Sequence, residues 1–335
     1  MALSIGQILR GQKGSYRLVE ALKPPTVFKA QVLPSSSIKP GLAAVKTEVG
    51  PEKICLKREH ENYKLPAIAS CQYIRTLYDV VGDEARTSGT STANDPLCMV
   101  FELMDHDLRT VSSDKFRDNS NLPKVLAKSV LSALVLLKSQ FNAIHTDINP
   151  NNIFLSDIGG PSPVVKVGDL GNMLVEGYNK IRVQSLPTRA PEVWRGLGCW
   201  HSSDVWSVGV TLAHWLSPSI IFGAKDKIVE GLTEAWCIAK IQRLIGPMDP
   251  PVNNDYKEEF LVAEHLASTT FTHPDTKLET QLINVGTLHQ ELQRLPGPKV
   301  APELLDFIEY LLVVDHTKRP TALEALQHPY LQSLF

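Results

Sequence analysis

Residues 144–155, IHTDINPNNIFL, set Asp147 and Asn152 five positions apart in a short polar run that follows an apolar, helix-like segment. A carboxylate in such a run can orient or accept a proton, and carboxylate and amide oxygens are hard ligands for a divalent cation. Two other groups raise the same question. Lys46 ends the strand-like run LAAVK, and Asp169 stands in GDLG directly after the apolar run VVKV. Taken singly, each has an ordinary structural reading: a surface turn, a strand-end lysine, a glycine turn. His145 has no second His or Cys at ligand spacing, so it reads as a buried support of the loop and not as a metal ligand.

The elements that must carry these residues change character along the chain. In the first hundred residues YRLVEAL, TVFKAQVL, LAAVK, IRTLYDVV and LCMVFEL are β-branched or aromatic runs separated by Pro, Gly and Ser clusters, the pattern of strands. Residues 52–65, EKICLKREHENYKL, lack Gly and internal Pro and read as a helix. From about Leu122 helices dominate: LPKVLAKSVLSALVLLKSQFN opens with a proline and carries an apolar stripe, and SSDVWSVGVTLAHWL, TEAWCIAKIQRLIG, PELLDFIEYLLVV and TALEALQHPYL continue the trend. The chain therefore reads as α+β. A lead-in covers residues 1–15, a small β-rich part with one main helix covers 16–104, and a larger, mainly helical part covers 105–335. GDEARTSGTSTANDP reads as a mobile surface loop, and the acidic run NNDYKEEF as a solvated face.

Bulk properties narrow the partners. A chain of 335 residues with 43% hydrophobic content can bury a sizeable core. Thirty-four basic against 36 acidic residues leave a net charge of -2, so no global field favours nucleic acid or an anionic membrane. The five cysteines (Cys55, Cys71, Cys98, Cys199 and Cys237) are odd in number and lack C-x-x-C spacing, which argues for reduced thiols in the cytoplasm or nucleus. No run approaches the ~18 apolar residues that span a bilayer, and the N-terminus lacks the pattern of a secretory signal. Trp194, Trp200, Trp206, Trp215 and Trp236 read as packing, not as a base-stacking platform.

Taken in order, AAVK, VFELMDHDL, IHTDINPNNIF, VGDLGN, RAPEV, DVWSVGV and KRPTALEALQHPYL resemble the successive landmarks of a eukaryotic protein kinase, from about Tyr16 to Leu331. HTDI, DLGN and the insert-like CIAKIQRLIGP most resemble the SR-protein kinases of the CMGC group, in a divergent, fungal-looking form. The resemblance implies a bilobal kinase fold using ATP and Mg²⁺ on serine or threonine hydroxyls of a protein substrate, with Ser/Arg-rich sequences as the subfamily's substrate class. The chain is expected to be a monomer with no direct nucleic-acid or membrane partner.

By that resemblance Asp147 is the catalytic base, Asn152 binds the second magnesium ion, and Asp169 holds magnesium bridging the phosphates. Lys46 pairs with the α- and β-phosphates and with a glutamate on the following helix, Glu59, with Glu61 as the fallback. These two lie about 200° apart around a helix of 3.6 residues per turn, so only one can face the lysine. Adenine is expected against the backbone of Glu102, Leu103 and Met104, with Phe101 as a bulky gatekeeper and Leu22, Val27, Ala44 and Phe154 as an apolar sandwich. Glu192 is expected to pair with Arg319, and Asp204 to accept backbone hydrogen bonds near His145.

Three departures from the family pattern stand out. KPPT occupies the place of the glycine-rich loop, about three residues short of that template, and two prolines have no N–H to offer a phosphate. The upstream GQKGSY, Gly11 to Tyr16, reads as a lead-in turn and not as a displaced nucleotide loop. Asn149 replaces the lysine expected two residues after Asp147; it can donate a hydrogen bond but brings no charge, and Ser185, which by the resemblance fills the place of the activation-segment threonine, is expected to bridge it to Asp147. Thr146 replaces the arginine that receives an activation-loop phosphate, so the segment from Asp169 to Glu192 is expected to be held by its own contacts.

A hydrogen bond to a charged group is worth roughly 1.5–3 kcal/mol. Losing the loop and the lysine then costs about 3–6 kcal/mol, or roughly 10²- to 10⁴-fold in rate. Such losses slow a kinase without removing its chemistry. The rival is a pseudokinase binding module, and a small-molecule phosphotransferase of related fold is a weaker third reading because RAPEV and DVWSVGV resemble peptide-substrate apparatus.

Overall fold

A computed structural model describes residues 3–34, 37–38, 41–48, 53–82, 96–118, 120–217, 221–272 and 275–333; nearly all of GDEARTSGTSTANDP lies outside them. The chain forms two compact units. The first comprises Met1–Asp105 and Lys166–Met173, and the second His106–Val165 and Leu174–Phe335. The short stretch bearing Asp169 therefore belongs with the N-terminal unit, although the sequence reading assigned everything after residue 104 to the helical part.

The first unit is built on a six-stranded antiparallel sheet in the order β1-β2-β3-β4-β6-β5. Its strands are β1 (Ile8–Arg10), β2 (Ser15–Lys23), β3 (Val27–Val32), β4 (Leu42–Thr47), β5 (Leu77–Val81) and β6 (Cys98–Glu102). The period-2 alternation of a strand sorts the side chains. Tyr16, Leu18, Phe28, Ala30, Ala43, Val45 and Val100 pack into one buried cluster, and Lys46, next to Val45, points to the other face of the sheet. Helix α1 (Lys53–Tyr63) follows, then the single turn α2 (Pro66–Ala69).

Gly11 to Tyr16 is not a lead-in before the sheet. It is the tight turn of the β1–β2 hairpin, with Arg10 opposite Ser15 and the Gly11 N–H donating to the Gly14 carbonyl at 2.8 Å. The three residues of β1 carry one inward side chain, Leu9, too little periodicity to read as a strand. The turn wraps the Asp79 carboxylate of β5, which accepts from the N–H groups of Gln12 (3.2 Å), Lys13 (2.8 Å) and Gly14 (3.1 Å) and from the Tyr16 hydroxyl (2.7 Å). Any side chain at Gly11 would start 2.2 Å from an Asp79 oxygen, so this glycine is required by the close approach.

The second unit is helical around α3 (Leu122–Phe141) and α5 (His201–Leu216), with the single turn α4 (Pro191–Trp194) between them in sequence. Further helices are α6 (Thr233–Leu244), α7 (Lys257–Ser268), α8 (Leu288–Gln293), α9 (Pro302–Leu311), α10 (Ala322–Leu326) and α11 (Pro329–Gln332). The run TALEALQHPYL, read as one helical stretch, is two because Pro329 has no N–H to continue α10 and His328 caps a new turn. NNDYKEEF is not merely a solvated run. It opens α7, whose Phe260, Ala263 and Leu266 form a buried stripe at helical spacing.

Short strands anchor the polar loop of this unit. β7 (His106–Asp107) pairs with β9 (Ile153–Ser156), and β8 (Ala143–Ile144) pairs with β11 (Leu174–Val175). The loop between β8 and β9 is therefore fixed at both ends. The chain passes between units within β10 (Val164–Val167), and a small hairpin of β12 (Thr270–Thr272) and β13 (Glu279–Gln281) completes the unit.

Candidate active site

In the first unit, β4 brings Lys46 to a 2.7 Å ion pair with Glu59 of α1 and a 3.0 Å ion pair with Asp169. Glu59 is buried, whereas Glu61, two positions on, is exposed and paired with Lys64 at 2.6 Å. Burial works against the Lys46 ammonium, but the Glu59 and Asp169 carboxylates outweigh it and hold its pKa above the ordinary lysine value. Burial pushes Glu59 up to about 7, opposed by the charge of Lys46.

Asp169 sits at φ +61°, a left-handed conformation that costs a non-glycine residue energy and is retained where surrounding contacts impose it. Gly171 follows because the Cys55 carbonyl of α1 comes within 2.9 Å of where a Cβ would stand. Asn62 adds a clasp by donating to the Leu170 carbonyl at 2.8 Å.

The expected adenine-facing residues of this unit differ in setting. Phe101 is buried, edge-on to Tyr63 at 5.3 Å, with the Arg75 guanidinium over its ring. Ala44 is buried opposite Phe101 in the sheet, Val27 is half-buried and Leu22 is exposed. Glu102 corrects its expected role. Its N–H already donates to the Thr76 carbonyl at 3.0 Å, its own carbonyl accepts from Arg75 Nε at 3.0 Å, and its carboxylate pairs with Lys166 at 2.6 Å. That leaves the carbonyl's second lone pair and the backbone groups of Leu103 for a base.

The sequence reading missed Arg75 and Lys166. The visible hint was a lysine flanked by valines in VVKV, a charge in a buried strand that needs a partner.

KPPT proves to be a hairpin turn between β2 and β3. Lys23 faces Val27, and Thr26, whose N–H is the one nearest the two prolines, spends it on the Lys23 carbonyl at 2.8 Å.

In the second unit, the β8–β9 loop gathers donors around Asp147. One carboxylate oxygen accepts from Ser185 Oγ at 2.6 Å and from Asn149 Nδ2 at 2.8 Å; the other accepts from Asn152 Nδ2 at 2.8 Å. Ser185 does not need to bridge Asn149 to Asp147, because Asn149 reaches the same oxygen itself. The Asn149 side-chain oxygen turns back to accept from the Asn151 N–H at 2.9 Å, closing the loop where a lysine would have extended. Phe154 follows on β9 in the same unit, opposite Asp107.

Thr146 takes φ +67°, an outlier for a β-branched residue. Asp204 of α5 holds it there, accepting from the His145 N–H at 2.6 Å and the Thr146 N–H at 3.0 Å. Burial pushes the Asp204 carboxyl up to about 6, and these bonds together with His145 oppose it. The Asp147 N–H donates to His145 Nδ1 at 3.2 Å, so the histidine supports the loop.

The segment before Glu192 is held by its own residues and by α5 and α7. Arg189 donates to the Val183 carbonyl at 2.9 Å and the Gln184 carbonyl at 3.0 Å; the Gln184 side chain bonds Ser207 at 2.9 Å and the Ala190 N–H at 2.9 Å. Arg182 forms a forked pair with Glu259 of α7. Glu192 and Arg319 are both buried and make two bonds, at 2.7 and 2.9 Å.

Each unit offers one hard oxygen ligand of the kind that suits magnesium. Asp169 supplies a carboxylate in the first unit, and Asn152, whose amide nitrogen is spent on Asp147, keeps its oxygen in the second. Among the described residues no three His, Cys, Asp or Glu side chains converge on a metal. Phosphate and water oxygens would supply the further hard ligands that Mg²⁺ takes.

Comparison with known proteins gives this arrangement its family. The family described as protein kinase domain matches residues 44–331. Serine/threonine-protein kinase ppk15 of Schizosaccharomyces pombe is 29% identical over 265 residues, covering 70% of this chain and 47% of its own. Serine/threonine-protein kinase prp4 of the same organism is 28% identical over 252 residues, covering 70% and 50%. Human dual specificity tyrosine-phosphorylation-regulated kinase 3 is 29% identical over 255 residues, covering 72% and 42%. The chain thus spans about half the length, or less, of the curated relatives it matches. These relatives are CMGC-group kinases, the group to which the motifs pointed. With the family match running across most of its length, this α+β chain belongs to the protein kinase family.

Proposed function

We propose that this chain is an active protein serine/threonine kinase that transfers the γ-phosphate of ATP to a protein hydroxyl with Mg²⁺. The observation that carries the reading is the cage around Asp147. Three donors, from Ser185, Asn149 and Asn152, occupy three of the roughly four acceptor sites of an ionised carboxylate. The remaining site is free to accept a hydroxyl proton, and the cage fixes its direction. Such fixed orientation is the principal help that phosphoryl transfer needs.

In this reading Lys46, steered by Glu59, binds the α- and β-phosphates, and Asp169 and Asn152 hold the metal. Mg²⁺ supplies charge neutralisation on the phosphate oxygens. Phe101, Ala44, Val27 and Leu22, with Phe154, contribute apolar surface for the base. The free thiols support a cytoplasmic or nuclear setting, and the kinase is read as a monomer.

One observation favours the rival reading of a pseudokinase. The Pro24–Pro25 turn offers no N–H to a phosphate, since prolines have none and Thr26 has spent its own. Transfer of labelled γ-phosphate from MgATP to serine peptides, with alanine and tyrosine replacements of the acceptor, decides between the two. Label on serine alone supports the kinase reading; MgATP binding with no label on any peptide supports the pseudokinase.

The resemblance to SR-protein kinases adds Ser/Arg-rich proteins as a candidate substrate class.

A further inference from the structure

The second unit contains a cavity of about 640 Å³ whose lining includes Asn149 and Ser185, two of the residues that grip Asp147. Whatever occupies it lies one side chain away from the proposed catalytic carboxylate. Its charged lining consists of Arg109, Asp114, Arg117 and Lys225, with His214 alongside.

Most of this charge is already spent. Arg117 is buried, donates to the Leu216 and Pro296 carbonyls, and holds the Asp114 carboxylate at 2.9 Å. Ser112 donates to that carboxylate at 3.1 Å. Arg109 grips Asp107 with two bonds, at 3.1 and 2.8 Å. Burial, with Lys225 and Lys240 adding to it, holds His214 below the ordinary histidine value and so favours its neutral form.

Lys225 is the remainder. It is exposed, lines the cavity and has no ion-pair partner among the described residues, while its neighbour Asp226 is committed to the buried Lys240 at 2.7 Å. Among the described residues the cavity therefore offers one uncompensated cation and no uncommitted carboxylate. An incoming arginine would meet a like charge and find no partner; an anionic side chain would find one.

We propose that this cavity receives an anionic residue of the protein substrate, an acidic or phosphorylated side chain close in sequence to the acceptor hydroxyl, and that Lys225 selects it. The proposal rests on the kinase reading above and reverses the charge of the substrate class that the SR-kinase resemblance implies.

The test uses the full chain with MgATP and four serine peptides that differ only beside the acceptor: neutral, aspartate, phosphoserine and arginine. An exposed ion pair is worth about two- to fivefold. The aspartate peptide should exceed the arginine peptide by at least that in kcat/KM, and the ratio should shrink as salt rises. Lys225→Ala should flatten the ratio and Lys225→Glu invert it. A phosphoserine peptide well ahead of aspartate identifies a phosphorylated substrate; equality identifies a plain acidic one.

A wild-type preference for arginine, or a ratio unmoved by both variants, overturns the proposal. If no peptide is phosphorylated, the kinase reading has failed instead, and the same four peptides are ranked by fluorescence-anisotropy binding. There an acidic preference lost in Lys225→Glu sustains the anionic subsite, and a flat or reversed order rejects it.

Discussion

At the scale of single residues, the chemistry hangs on how few degrees of freedom are left to Asp147. Ser185 donates its shortest hydrogen bond, at 2.6 Å. Removing a bond to a charged group costs roughly 1.5–3 kcal/mol, so Ser185→Ala should lower kcat about ten- to a hundredfold. Steady-state kinetics on a serine peptide measure this, and an unchanged kcat would show that Asn149 and Asn152 suffice to orient the carboxylate. Glu59 gives a second expectation, in pH. Its folded pKa of about 7 stands above the ordinary value of 4.5, so between those values the folded chain binds more protons than the unfolded one. Glu59 therefore contributes stability that is full below pH 4.5 and lost as pH rises through about 7. Urea unfolding at a series of pH values should show this fall in wild type and a flatter profile in Glu59→Gln.

At the scale of elements, two contacts between segments distant in sequence hold the site's supports. Asp79 ties β5 to the β1–β2 turn by accepting three backbone N–H groups and the Tyr16 hydroxyl. Asp79→Ala leaves those donors unpaired, and the cost should be about 2–4 kcal/mol in chemical unfolding. Glu192 ties α4 to Arg319 in a fully buried pair, and its carboxyl pKa is lowered despite the cost of burial because Arg319 outweighs it. Breaking one side of such a pair typically costs 3–5 kcal/mol, so Glu192→Gln should destabilise the chain by roughly that amount. A loss below about 1 kcal/mol would mean that Arg319 finds other partners.

Much of the element plan was legible for a physical reason: long alternating or helical patterns announce themselves, as in β2, β3, β4, α3 and α5. β1 has too few residues to show a period, and α7 begins with the acidic residues that suit a helix N-terminus, so the same letters read as a solvated run. Glu59 and Glu61 could not be separated by letters alone, because the phase of α1 relative to β4 is set by packing. Arg75, Lys166 and Lys225 carry no motif, and their importance comes from partners, or the lack of one, that only the fold supplies.

At the scale of the whole molecule, the family is carried by the order of motifs over nearly the full chain, and the activity by whether both halves of the chemistry work together. A ligand that binds only the folded state stabilises it by RT ln(1 + [L]/Kd), about 2.7 kcal/mol at a hundred times Kd. Saturating MgATP should therefore raise Tm by several degrees, and Lys46→Ala should abolish the rise; an equal shift in both would remove Lys46 from the nucleotide site. The decisive measurement sets nucleotide affinity beside single-turnover transfer in wild type and Asp147→Asn. Equal affinity for MgATP with transfer slower by at least a thousandfold in the variant is the expected result. Equal transfer rates in the two proteins, or bound MgATP that wild type never turns over, would contradict the assignment of Asp147 as the working base.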